Sequence, residues 1–331
     1  MSSQTALSKL RTQLTVDVDS MDPSVAARHT STTERFSDMT SNQAIVYGEA
    51  SRPERADILK AACLQAKATG ADIDQQITDA LDLLSVLLAK EVYPYLTGRV
   101  HLQTTPAAAY DTEKTIAHAK KLVSLFEAHG IPKSRVCIKI PATPESLVAC
   151  QYLQKIGIDT LATCLFSLPQ ALAASSAGCL YVAPYFNELR VHFEPGVWKE
   201  YSDTAKEHPM APVIGSIVKA FRRTGSKTLV MPASIVTAAE VVALASLNPD
   251  HLTLSGAVLD QLAAIQELQG APNDPKPHHP DVVDYLANGA SALREYLASD
   301  AEATRKLADA LRIFGEMEDK TKALICKELD G

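Results

Sequence analysis

The sequence lacks the features that mark membrane proteins and nucleic-acid-binding proteins. It has no uncharged apolar run of about 18 residues, the length that a membrane-spanning helix needs. Its 32 basic and 39 acidic residues give a net charge of −7, and no block of lysine and arginine could follow a phosphate backbone. The amino-terminal residues also lack the apolar core of a secretion signal. We therefore expect a cytoplasmic protein with neither a membrane nor a nucleic acid as its partner.

Cysteine and histidine are present without the spacing of a disulfide framework or a metal site. The six cysteines are scattered, no Cys-x-x-Cys pair occurs, and Cys137, Cys164 and Cys179 lie in apolar segments that predict buried thiols. His101 stands apart from other potential ligands, and the His-His pair at 278–279 falls in a proline-rich segment. We therefore expect no metal ion and no organic cofactor.

What the sequence does contain is a regular alternation of strand-like and helix-like segments. Helical spacing occurs, for example, at 55–68, 111–130, 144–157, 168–178 and 238–247. Eight short apolar and β-branched runs lie at 14–20, 37–42, 99–105, 135–143, 159–167, 179–186, 227–234 and 251–256. This alternation over about 250 residues predicts an α/β fold, a (β/α)₈ TIM barrel. A doubly wound open sheet is the alternative, but no glycine-rich phosphate loop follows the first strand.

The pattern changes near residue 268. A proline-rich connector begins at 269, and the rest of the chain to 331 has long helical spacing with many charged residues. This segment is too short and too charged to bury a good core alone. We therefore predict a barrel over 1–268 and a helical extension over 269–331 that packs on the barrel, with a separate domain as the alternative.

One residue is out of place in the fourth strand, which reads "VCIKIPAT" over 136–143. Burying Lys139 costs several kcal/mol (on the order of 2–7 for a polar group) unless the amine is paired or neutral. A neutral amine in a closed site attacks carbonyl groups and forms a Schiff base. The alternative is a purely structural role, in which Lys139 extends to the strand end or pairs with a carboxylate such as Asp19.

Polar side chains stand at the carboxyl ends of the other predicted strands. In a barrel these ends face a common site, where a carboxylate, a phenol and hydroxyl groups around an amine suit proton transfer. Taken singly, each is more often a strand cap. The residues are Asp19, Asn42, Gln103, Thr163, Tyr185 and Ser234.

Several of these residues lie in motifs that resemble the transaldolase family, whose members are class I Schiff-base enzymes with the barrel fold. The resemblance extends from about residue 7 to 260 and is densest at "DMTSN" (38–42), "CIKIPAT" (137–143) and "TCLFSLPQA" (163–171). It implies that Lys139 forms the Schiff base and that Asp19 handles the donor hydroxyl and its proton. It further implies that Thr163 helps to hold a catalytic water and that Thr40, Asn42 and Ser234 bind substrate.

The sequence departs from the transaldolase pattern at three positions around the expected proton transfer. Gln103 replaces a glutamate that acts as general acid and base, and an amide cannot shuttle protons in that way. Ala183 and Tyr185 replace the serine and phenylalanine of another motif. Together the three resemble fructose-6-phosphate aldolase, in which the tyrosine takes over proton transfer. We therefore expect Tyr185 to transfer the proton while Gln103 and Thr163 hold a water. This combination favours free aldol chemistry over obligate transfer.

Two further departures concern phosphate. Glu188 and Val236 stand where the family has arginines, so both anion clamps are absent. The carboxylate of Glu188 would repel a phosphate beside it, and Arg190 is the residue that could compensate. We therefore predict small, unphosphorylated carbonyl or hydroxyketone substrates. Two alternatives stay open, an orthodox pentose-phosphate transaldolase and a barrel that has lost catalysis and acts as a binding or scaffold protein. The family resemblance also makes a homodimer a prediction.

Overall fold

The structure is a computed structural model that describes residues 4–266 and 283–330. Its centre is a single sheet of eight parallel strands in the order β7-β6-β5-β4-β3-β2-β1-β8. Backbone bonds from Asp250 N to Val230 O (3.1 Å) and from Thr253 N to Pro232 O (3.4 Å) join the two edges, so that the barrel is nearly closed. The predicted barrel is confirmed. The strands are β1 Thr15–Asp19, β2 Met39–Thr40, β3 Val100–Gln103, β4 Val136–Pro141, β5 Asp159–Leu165, β6 Tyr181–Pro184, β7 Leu229–Val230 and β8 His251–Leu254.

Helices surround the barrel, and each of the five helical segments named from the sequence coincides with one of them. The helices are α1 Ala6–Arg11, α2 Pro23–Arg28, α3 Gln43–Ala50, α4 Ala56–Lys67, α5 Ile73–Val92, α6 Thr112–Ala128, α7 Pro144–Lys155, α8 Leu168–Ser176, α9 Thr204–Glu207, α10 Met210–Thr224, α11 Ala238–Ala245, α12 Gly256–Ala264, α13 Ala287–Ser299 and α14 Ala301–Asp330. Local signals set their ends. Asp111 caps α6 by accepting a bond from the Lys114 amide, and Gly157 ends the turn after α7 at a φ of 72°. Within the two described ranges, no helix is long and apolar enough to cross a membrane.

Buried polar side chains pair with one another in the lower half of the barrel interior. His251 Nδ1 lies 2.8 Å from Asp17 Oδ2, and His101 Nε2 lies 2.8 Å from Asp38 Oδ2. The ring of Tyr181 stands between the two imidazoles, with its centroid 5.3 Å from each. Burial raises the pKa of Asp17 to about 6, although the bond from His251 opposes this. This layer fills the lower part of the interior, and the space above it opens toward the carboxyl ends of the strands, where barrel enzymes have their active sites.

The carboxyl-terminal helices pack on the barrel. Helix α14 lies against α3, α4 and α5, and α13 lies against α7 and α8. Polar contacts join them to the barrel: Thr105 Oγ1 donates to Glu318 Oε1 at 3.0 Å, and Arg294 pairs with Glu145 at 2.7 Å. The predicted connector over 269–282 lies outside the described residues. The division into a barrel of 1–268 and an extension of 269–331 therefore stays a prediction.

Candidate active site

Lys139 lies inside the barrel, on the face of β4 that points away from the helices. Strand residues alternate in direction, so Ile138 and Ile140 meet the surrounding helices while the lysine enters the interior. Lys139 is only 2% exposed, and its amine lies 5.9 Å from the ring centre of Tyr185. Burial lowers the pKa of the amine, although Asp19 is close enough to oppose the shift. The amine is thus held in an enclosed site that favours its neutral form.

Asp19 ends β1 and is fixed by neighbouring hydroxyl groups. Thr40 Oγ1 donates to Asp19 Oδ1 at 2.6 Å and also lies 2.5 Å from Thr253 Oγ1. The register of β1 with β2 places Asp19 opposite Thr40. The sequence analysis did not single out Thr253, although it too stands near the end of its strand, β8. The carboxylate therefore has a hydroxyl partner and keeps a defined position.

Tyr185 follows β6 and is fully buried beside Thr163 and Cys164. Thr163 Oγ1 donates to the Tyr185 oxygen at 3.2 Å, and the tyrosine packs edge-on against Phe166. Burial raises the pKa of Tyr185 well above its ordinary value and that of the Cys164 thiol to about 12. Both groups therefore hold their protons at neutral pH. The sequence predicted a buried Cys164, but not its place at the site, which results from an irregular β5–β6 register and a φ of 51°.

Lys139, Asp19 and Tyr185 line a cavity of about 400 Å³ at the carboxyl end of the barrel. Its walls are mainly apolar, and the basic side chains among its lining residues are Lys139 and His192. No group of three or more potential metal ligands occurs within the ranges that the structure describes. The cavity is lined by Asp19, Asn42, Ala44, Ile45, Lys139, Tyr185, Leu189, His192, Phe193, Ala233, Ser234, Ile235, Val236, Thr253, Ser255 and Ala257.

One wall of the cavity is held by a buried carboxylate that the sequence analysis missed. Glu240, at the start of α11, is 3% exposed and accepts bonds from Asn187 Nδ2 (2.9 Å), Trp198 Nε1 (2.9 Å) and Val236 N (2.7 Å). Asn187 also donates to the backbone oxygen of Ser234 at 3.0 Å. The carboxylate of Glu240 thus connects the loop that follows β6 with the loop that follows β7. No motif in the sequence marks this residue.

Comparison with known proteins decides the family. The family described as Transaldolase/Fructose-6-phosphate aldolase matches residues 15–325. This chain belongs to that family. It is 32% identical to a transaldolase of Alteromonas mediterranea over 301 residues, which cover 89% of this chain and 91% of that protein. A transaldolase of Rhizobium etli is 31% identical over 323 residues, covering 98% and 97% of the two chains. The protein is thus an enzyme of the transaldolase and aldolase class.

Five residues expected at the site do not line the cavity. Thr40 and Thr163 stand behind it and bond to Asp19 and Tyr185, which do line it. The other three are Gln103, Ala183 and Arg190. The Gln103 side chain donates to Gln43 Oε1 at 2.7 Å, although Gln103 is paired with Lys139 in the sheet. Ala183 is enclosed within β6 at 1% exposure. Arg190 is turned away, because Glu194 Oε2 accepts bonds from its Nε (2.9 Å) and Nη2 (2.6 Å). None of these three side chains borders the cavity in this arrangement, and their contacts with substrate stay predictions.

The structure also changes the interpretation of Glu188. The sequence suggested that this carboxylate would repel a phosphate, but it is not among the residues that line the cavity. Arg305 of α14 pairs with it at 2.8 Å. An ion pair largely cancels the field of the carboxylate at a distance. Repulsion by Glu188 therefore gives little reason to exclude phosphorylated substrates. The reason that remains is the scarcity of cationic side chains along the cavity wall.

Proposed function

We propose that this protein is a class I aldolase of transaldolase type that acts through Lys139. Its amine attacks the carbonyl of a hydroxyketone donor, water leaves, and the resulting iminium accepts the electron pair when the adjacent C–C bond breaks. The observation that carries the proposal is the amine itself, buried at the floor of a cavity with its pKa lowered. A lysine with a free ammonium group could not start this reaction at neutral pH.

Asp19 and Asn42 would bind the hydroxyl groups of the donor. Both line the cavity that contains Lys139. The side-chain oxygen of Asn42 caps α3 by accepting bonds from the amides of Ala44 (2.9 Å) and Ile45 (3.1 Å). Its amide nitrogen is thus the group that can donate to a substrate. Asp19, fixed by Thr40, supplies the matching acceptor.

Tyr185 would transfer the proton at the aldol oxygen. Because Thr163 donates to the phenol oxygen, the proton of Tyr185 is not used in that bond and can be directed to substrate. Its raised pKa keeps it protonated, as a general acid in the synthetic direction requires. The placement of Gln103 against Gln43 gives no support to the idea that it helps Thr163 to hold a water.

The cavity favours unphosphorylated substrates. Tight phosphate binding generally uses fixed arginines or several backbone amides, and the lining residues include no arginine. A specific observation favours the alternative of an orthodox transaldolase, since relatives at 31–32% identity carry that name. Turnover of sugar phosphates decides between these two functions. A homodimer stays a prediction, which sedimentation measurements can test.

Reductive trapping tests the proposal directly. The protein is incubated with dihydroxyacetone or fructose and then with borohydride, which reduces the iminium to a stable amine. Mass spectrometry should find the donor mass on the peptide that contains Lys139. Lys139→Met should lose the adduct, whereas Lys133→Met, which changes a lysine at the other end of β4, should keep it. Absence of any adduct with phosphorylated and unphosphorylated ketoses alike would refute the Schiff-base mechanism.

A further inference from the structure

The mouth of the cavity carries a polar pair to which the mechanism above gives no role. His192 lies on the 3₁₀ turn Leu189–His192 that follows β6, and its Nε2 is 2.9 Å from the Oγ of Ser234. Ser234 follows β7 and has a φ of 59°, a left-handed conformation that serine rarely adopts. Its backbone oxygen accepts a bond from Asn187 N at 3.1 Å. The surrounding structure therefore holds this hydroxyl where the imidazole reaches it.

The charges around His192 leave the mouth without a fixed cation. His192 is exposed at the surface, yet the protein packed beside it lowers its pKa, and Asp19 across the cavity and Glu240 behind the wall oppose this shift. Lys139 and Tyr185 are the other titratable groups that line the cavity, and burial lowers the pKa of the lysine and raises that of the tyrosine. At neutral pH the mouth thus presents an uncharged imidazole beside a hydroxyl group. Such a pair can both donate and accept hydrogen bonds.

Apolar side chains surround the pair. Leu189 and Phe193 flank it on the β6 side, and Ile235 and Val236 flank it on the β7 side. Such a surface holds a carbon chain and leaves one place where a polar substituent is satisfied. A phosphate here would give up hydration without gaining a charged partner, whereas a hydroxyl group would replace its bonds to water with bonds to the pair.

The position of the pair identifies the part of the substrate that it meets. A donor attached to Lys139 lies at the floor beside Asp19 and Asn42, so a group at the mouth faces the incoming acceptor. We propose that His192 is a specificity-determining residue that, together with Ser234, binds an uncharged hydroxyl group of the acceptor aldehyde. This inference rests on the proposed function and adds the class of acceptor, an unphosphorylated hydroxyaldehyde.

Three aldehydes of equal carbon number test this assignment. With dihydroxyacetone as donor, kcat/KM is measured for propanal, glyceraldehyde and glyceraldehyde 3-phosphate. His192→Phe keeps a ring but loses both nitrogens, and Ser234→Gly removes the hydroxyl while tolerating the positive φ. Either change should lower kcat/KM for glyceraldehyde about tenfold, because about one hydrogen bond to the substrate is lost. The kcat/KM for propanal, which has no hydroxyl group, should stay within about twofold of the wild-type value. His129→Phe, at the far end of α6, is the matched control and should change neither value.

Wild-type enzyme should use glyceraldehyde at least about tenfold better than its 3-phosphate, since a charged partner for phosphate is missing. Equal losses for propanal and glyceraldehyde in His192→Phe, or no loss for either, would overturn the role of His192. Preference for the phosphate would overturn the class of acceptor. Borohydride trapping at Lys139 is run on every variant. An adduct that persists while the specificity is unchanged refutes only this inference, whereas a wild-type enzyme that forms no adduct refutes the proposed function as well.

Discussion

Replacing Lys139 by methionine should make the protein more stable while abolishing its adduct with substrate. The lysine side chain is 2% exposed and its amine gives up hydration on folding. Methionine has nearly the same length and shape and needs no solvation. Replacing buried charged groups by apolar residues of similar volume is often stabilising by about 1–4 kcal/mol. We expect Lys139→Met to raise the free energy of unfolding by about 1–3 kcal/mol at neutral pH.

The size of this gain should depend on pH in a defined direction. In the folded protein the pKa of Lys139 lies below its ordinary value of 10.5, so between these two values the unfolded chain binds more protons than the folded one. Wild-type stability therefore rises with pH across this window, relative to a variant without the amine. The gain from Lys139→Met should be largest below the folded-state pKa and vanish near pH 10.5, with a slope of at most about 1.4 kcal/mol per pH unit.

Urea unfolding of wild type, Lys139→Met and Lys133→Met at a series of pH values measures these differences. Lys133→Met also removes one positive charge, but from the turn that precedes β4, so it controls for the change in net charge. Other titrating groups are common to all three proteins and cancel in the comparison. A difference between Lys139→Met and wild type that stays constant with pH would show that folding leaves the lysine pKa unchanged. A destabilised variant at every pH would refute the idea that the buried amine is costly.

Three further substitutions test the parts assigned to neighbouring residues. Tyr185→Phe should keep the trapped adduct but lower kcat about 10²–10⁴-fold, because only proton transfer is lost, and an unchanged kcat would exclude Tyr185 as the acid. Thr40→Val should lower kcat/KM about tenfold by freeing Asp19, whereas unchanged kinetics would show that this bond does not position the carboxylate. Glu240→Gln places an amide among three donors and should cost about 1–3 kcal/mol in urea unfolding, which an equally stable variant would contradict.

The positions of the strands could be predicted because each is a short apolar run between polar turns. The lengths of the strands could not be predicted in this way. The predicted segments 37–42 and 227–234 contain only two strand residues each, Met39–Thr40 and Leu229–Val230. Composition marks a segment that fits a sheet, but the hydrogen-bond register that delimits a strand depends on neighbours distant in sequence. The barrel followed from the number and order of the segments, which are insensitive to such errors.

Site residues at the strand ends or within a few residues after them were predictable, and those farther along the loops were not. Asp19 and Lys139 lie where the alternation of a parallel barrel must place them. Arg190 and His192 share one short turn, yet Glu194 draws the arginine away while the histidine lines the cavity. Which of two neighbouring side chains enters a site depends on its partners in three dimensions. Sequence motifs carry no signal for such partners outside regular strands.

Burial lowers the pKa of Lys139, and the way the barrel distributes its carboxylates leaves this shift in place. Asp17 and Asp38, in the lower layer of the interior, are each occupied by a histidine. Asp19, the carboxylate nearest to the reactive amine, is held by the hydroxyl of Thr40 and not by a cation. The attraction between Asp19 and Lys139 therefore only reduces the effect of burial and does not cancel it. A bonded pair between them would fix the ammonium form, so their separation is what leaves the amine reactive.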